Sequence, residues 1–87
     1  MPKYHFDIRI GNCFIRDGDG SEFPDDKAAL DNAREEIREL LMTRAGSKID
    51  VEEARMEVGD ERNRLLFIVP FHEVMVTTDV KPRGYAS

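Results

Sequence analysis

Cys13, His5 and His72 are the side chains whose types suggest nucleophilic chemistry. A thiol becomes a nucleophile when an imidazole within hydrogen-bond reach takes its proton. The residues around Cys13 argue against that pairing. Tyr4, Phe6, Ile8 and Ile10 alternate with His5, Asp7 and Arg9, the period of two of a half-buried strand, and Gly11-Asn12 reads as a two-residue hairpin turn. Counting outward from that turn, Ile10 faces Cys13, Ile8 faces Ile15 and Phe6 faces Asp17 on the apolar side. Arg9 faces Phe14 and Asp7 faces Arg16 on the other. Cys13 is therefore expected inside, buried and inert, with His5 outside and the sheet between them. No spacing brings His72 to Cys13. The outer side instead collects His5, Asp7 and Arg16, a histidine and a carboxylate beside a cation that would hold an anionic ligand. The plainer reading of the same residues is a solvated strand face with an Asp7–Arg16 pair worth under ~1 kcal/mol.

The segment Asp17 to Asp26 holds five acids and no base. It fails as a calcium loop: with Gly20 at the invariant glycine, Asp17 and Asp19 fall correctly, but Ile15 occupies the first ligand position and Asp26 the last, where Glu is expected. It fails as a phosphate loop because acids surround Gly18 and Gly20 and no Lys-Ser/Thr follows. Two histidines near opposite ends and one cysteine have no zinc-type spacing, so neither a metal nor another cofactor is expected. With 18 Asp+Glu against 13 Lys+Arg the net charge is -5, which disfavours nucleic acid. Only a local patch of Lys3, Arg9, Arg16 and Arg55 would reopen that reading. One cysteine allows no intrachain disulfide, and Met1-Pro2-Lys3 runs straight into a strand pattern with no apolar targeting or membrane segment, so a cytoplasmic location is expected.

The positioning elements follow from pattern. Asp25 or Asp26 caps a helix that runs to about Arg44, with Leu30, Ala33, Ile37, Leu40 and Leu41 on one stripe and Gly46 as its stop. Ala54, Met56 and Val58 then alternate with Arg55 and Glu57, and Asp60 to Asn63 makes a four-residue turn. In that register Val58 faces Leu65, Met56 faces Phe67 and Ala54 faces Val69 inside, with Glu57 facing Leu66 and Arg55 facing Ile68 outside. Leu65 to Val69 is apolar on both faces, which suits a central strand or one whose outer face meets another molecule. Val74 to Val80 reads as an edge strand or arm. The architecture is α+β, β-β-α-β-β: an antiparallel four-stranded sheet with one helix on its apolar face and the strand order open. Residues 1–79 form a single domain and 80–87 a flexible C-terminal tail.

Pro2-x-Tyr4-x-Phe6-Asp7-x-Arg9, Asp17-x-x-Gly20-x-Glu22-x-Pro24-Asp25, a helix ending Glu39-Leu40-Leu41, and Val69-Pro70-Phe71 resemble a family of small uncharacterised domains common in alphaproteobacteria such as rhizobia. The resemblance spans roughly residues 2 to 76. It implies a bacterial origin and this architecture, and it transfers no active site. The chain departs from the family in having Arg62-Asn63 where relatives often have a glycine-containing turn. A chain of 87 residues buries only about 60% of its unfolded surface, so pairing with a second copy would add to a marginal core. The expected function is a non-enzymatic interaction module that self-associates as a homodimer, or binds another protein, through Leu66, Ile68, Val74 and Val76. The rival is a small enzyme or ligand binder using His5, Asp7 and Arg16 on the outer sheet face.

Overall fold

The computed structural model describes residues 1–44 and 46–74, which build an antiparallel sheet with one long helix against one face. Strand β1 (Lys3–Ile10) turns through Gly11-Asn12 into β2 (Cys13–Ile15). The pairings Ile10 with Cys13, Arg9 with Phe14 and Ile8 with Ile15 match the expected register. Gly11 carries the positive φ of 56° and Asn12 does not, so the turn is of the type that needs glycine first. A fifth strand, β3 (Ser21–Glu22), was not expected; it returns to pair Tyr4 with Ser21 and Lys3 with Glu22. Gly20 leads into it at φ 72°, where a side-chain carbon would come within 2.9 Å of the Tyr4 carbonyl oxygen.

The helix α1 (Asp26–Leu41) starts as anticipated, with Asp25 as N-cap accepting a hydrogen bond from Ala28 N–H at 2.8 Å. It stops short of Arg44. Thr43 explains the early end: its hydroxyl donates to the Leu40 carbonyl at 2.7 Å and accepts from the Gly46 amide at 2.9 Å, diverting the chain from further helical turns. Ala29, Ala33 and Ile37 are wholly buried, and the two alanines bring the helix close to the sheet. Beneath them lie Tyr4 and Phe6 of β1, and Ala54, Met56 and Val58 of β4 (Ala54–Asp60). Val69 of β5 (Leu65–Pro70) completes the sheet's share of the core, with Phe71 and Val74 beyond it. Phe23 closes the loop side by meeting Phe6 edge-on, ring centroids 5.7 Å apart.

The strand order is β2-β1-β4-β5, with β3 beside the other half of β1. The two long strands are thus central and antiparallel, pairing from Tyr4 with Asp60 to Ile10 with Ala54. The second hairpin departs from the expected register by two residues: Val58 pairs with Phe67, Glu57 with Ile68, Met56 with Val69 and Arg55 with Pro70. The turn is the cause. Asp60 closes it with its backbone amide donating to the Arg64 carbonyl at 3.0 Å and its carboxylate accepting from the Arg62 and Arg64 amides, both at 2.9 Å. Asn63 takes the left-handed φ of 63°, the conformation that glycine would supply in its place. An irregularity between Val58 and Gly59 then inserts one extra residue into β5. As a result Leu65, expected inside, is 56% exposed, while Leu66, expected outside, packs against the core.

Two further expectations are corrected. Cys13 faces as predicted, opposite Ile10, yet it is exposed rather than buried, because β2 lies at the sheet edge with all three residues exposed. Of Val74–Val80, expected as an edge strand or arm, only Val74 lies among the described residues; it ends the helical residues 71–74 and is buried in the chain's own core, not offered outward. Val76 and the tail from 80 lie outside the described residues.

Candidate functional site

The helix covers one face of the sheet; Cys13, paired with Ile10, belongs to that side, while His5, Asp7, Arg9, Arg55 and Glu57 lie on the other. Two clusters organise that face. The first is centred on Asp17, which follows β2. Its carboxylate accepts from the Phe6 amide at 3.1 Å and the Gly20 amide at 3.2 Å, filling the gap between β2 and β3 along the edge of β1. Its own amide donates to the Asp7 carboxylate at 2.8 Å. The His5 Nδ1–H donates to the Asp17 carbonyl at 3.0 Å. The structure therefore brings His5, Asp7 and Arg16 together around a shallow depression of about 200 Å³, shared with Asp17, Gly18 and Asn63. Asp7 and His5 are held by the Asp17 backbone rather than by one another or by Arg16. The guanidinium of Arg16 instead sits 5.8 Å from the Phe14 ring.

The second cluster is made by strand pairing across the sheet. Arg9 of β1 lies opposite Arg55 of β4, and Asp7 lies opposite Glu57. Like charges face each other in both rows, an arrangement that is destabilising alone. Glu57 resolves the arginine row: its Oε2 accepts from Arg9 Nε and Arg55 Nε, each at 3.1 Å. Burial penalises the charged Glu57 carboxylate, but the hydrogen bonds from Arg55 and Arg9 outweigh it and hold its pKa below the usual value. The Arg9 guanidinium also lies 4.5 Å from the centre of the Phe14 ring. The basic patch that would have favoured nucleic acid is interrupted by this carboxylate. Beside the charged rows, Ile68 of β5 is 50% exposed and Phe14 of β2 is 39% exposed.

At the far end of β1, Tyr4 is buried beneath the start of the helix and donates its hydroxyl to the Asp26 carboxylate at 2.7 Å. That hydrogen bond, with burial and the nearby carboxylates, pushes the phenol up to about 12. The contact fastens the start of the helix to the sheet. His72 is exposed, away from the His5 cluster, beside the β4–β5 end that carries Arg55 and Pro70. Among the described residues no three His, Cys, Asp or Glu side chains converge as metal ligands, and no helix is long and apolar enough to cross a membrane. The Arg9–Glu57–Arg55 bridge was not legible without the strand order, since its two halves are far apart in the chain.

The features define a class: a small α+β domain with one helix-covered face and one open face of paired charges and exposed apolar side chains. Residues 3–72 match the family model of a domain of unknown function, DUF6894, and the chain belongs to that family. No curated protein and no solved structure matches the chain.

Proposed function

We propose that this is a non-enzymatic protein-interaction module of a bacterial cytoplasm that self-associates through the helix-free face of its sheet. The observation that carries this reading is the position of β5. Its sequence is apolar on both faces, which would suit a central strand, yet among the described residues it lies at the edge of the sheet. Neither a second helix nor a further strand among the described residues covers Ile68. An exposed β-branched apolar residue on that strand, separated from the exposed Phe14 by two adjacent rows of charges, is the composition of an interaction surface. The family resemblance in the sequence supports the bacterial setting.

Substituting Ile68→Glu places a charge on that face without touching the core. The expected outcome is a folded chain, judged by circular dichroism, whose solution mass in sedimentation is that of a monomer while the native chain is larger. Equal masses for the two proteins at every concentration would remove the proposal. Leu66, which packs inward, is the unsuitable position for this test, because a charge there would disturb folding first.

A further inference from the structure

The partner that fits the open face is a second copy of this chain, and the charge rows decide how it sits. Across the sheet, Arg9 and Arg55 form one row that ends at Pro70 of β5, and Asp7 and Glu57 form the next row, which ends at Ile68. Neighbouring same-face positions on a strand are two residues apart, about 7 Å. Two copies can stack open face to open face about a two-fold axis in either of two simple ways. An axis parallel to the strands returns each row to its own level, setting arginine over arginine and acid over acid. An axis running across the strands, between the two rows, exchanges them.

We infer that two copies associate face to face about an axis across the strands, with Arg55 over the partner's Glu57, Arg9 over the partner's Asp7, and Ile68 over the partner's Pro70. This rests on the self-association proposed above and adds its geometry. Each of these three contacts is then opposite in sign or apolar on both sides, as a two-fold interface requires of a single surface. The face is small. Strands of 8, 3, 7 and 6 residues, at about 3.4 Å per residue and about 4.8 Å apart, present roughly 400 Å² in projection, less than the about 800 Å² per partner of a standard stable interface. The dimer is accordingly expected to be concentration-dependent, dissociating in the micromolar range.

The test is a charge exchange. Arg55→Glu sets a carboxylate against the partner's Glu57 twice per dimer, and Glu57→Lys sets an ammonium against the partner's Arg55 twice. Each variant alone is expected to dimerise at least about tenfold more weakly than the native chain. An equimolar mixture restores opposite charges at both contacts and is expected to recover dimers in sedimentation. If the native chain dimerises and Ile68→Glu abolishes this, but the mixture stays monomeric, the face is right and this geometry is wrong. If the native chain is monomeric throughout, both proposals fail. Should either charge variant fail to fold, pyrene attached at Ile68→Cys in a Cys13→Ser background reads the same geometry. Stacking β5 over the partner's β5 brings the two labels together and gives excimer emission; associated protein without excimer overturns the arrangement.

Discussion

The two faces of the sheet are built from the same strands by opposite means. On the helix side, Phe6, Ala54, Met56, Val58 and Val69 are buried against Ala29, Ala33 and Ile37, so their identity is set by volume and shape. On the open side, Arg9, Arg55, Asp7 and Glu57 are set by sign, and their order is understood only by reading across two strands. Alternation along one strand is enough to recognise the first face. The second is a property of neighbours that are distant in sequence.

The sharpest way to break this contrast is to make the same kind of deletion on both faces. Ile37→Ala removes a wholly buried side chain and is expected to cost about 2–5 kcal/mol, a large part of the stability of a domain this size, in a urea titration. Ile68→Ala, on the open face, is expected to change the same titration by under about 1 kcal/mol at a protein concentration where the chain is monomeric. Equal losses would mean that the open face also contributes to a core.

That asymmetry also accounts for what the sequence revealed. The first hairpin could be read as far as Ile15 because a two-residue turn at Gly11-Asn12 leaves no slack in the register; the expected pairings of Asp7 with Arg16 and Phe6 with Asp17 do not form, because β2 ends at Ile15 and Asp17 turns its carboxylate to the Phe6 amide. The helix was legible from its cap and stripe, apart from the Thr43 hydrogen bonds that end it early. In the second hairpin, facing was predicted correctly for Met56, Val58, Phe67 and Val69, because a slip of two residues preserves parity. The extra residue in β5, which exchanges the roles of Leu65 and Leu66, has no local signal in an apolar run. The two-residue β3 is too short for any pattern, and the exposure of Cys13 depends on β2 being an edge strand rather than on alternation. At the polar site, His5, Asp7 and Arg16 were correctly expected on one face. The organising role of Asp17 was not foreseen, because its partners are mostly backbone amides rather than side chains.

Asp17 offers the next test of the contrast, since it is a polar residue on which backbone order depends. Asp17→Ala leaves the Phe6 and Gly20 amides without their acceptor and is expected to cost about 1–3 kcal/mol, with faster hydrogen exchange at Phe6. Asp19→Ala, in the same loop and exposed, is expected to change stability by less than about 0.5 kcal/mol. A tolerant Asp17 would reduce the first cluster to surface decoration.

The smallest effect is a pH dependence at the seam between helix and sheet. The Tyr4 phenol is raised to about 12 in the folded chain, above its ordinary value of 10.0. The unfolded chain therefore loses this proton first, so the associated stability is full below about pH 10 and is lost as pH rises toward 12. Tyr4→Phe is expected to be less stable at neutral pH and to show a shallower alkaline decline than the native chain when melting temperature is followed from pH 9 to 12. An unchanged alkaline slope would show that the Asp26 contact contributes nothing through its proton.

One outer border of the sheet is made of two fragments, β2 of three residues and β3 of two, with the Asp17 carboxylate capping the Phe6 amide between them. A row of free main-chain groups invites foreign chains to add themselves, and the usual end of that process is a fibril. Here neither fragment presents a run long enough to template such growth, and a negative charge stands at the break. The loop that looked like a failed metal site thus blunts the border, turning association away from endless side-by-side addition along that side of the fold.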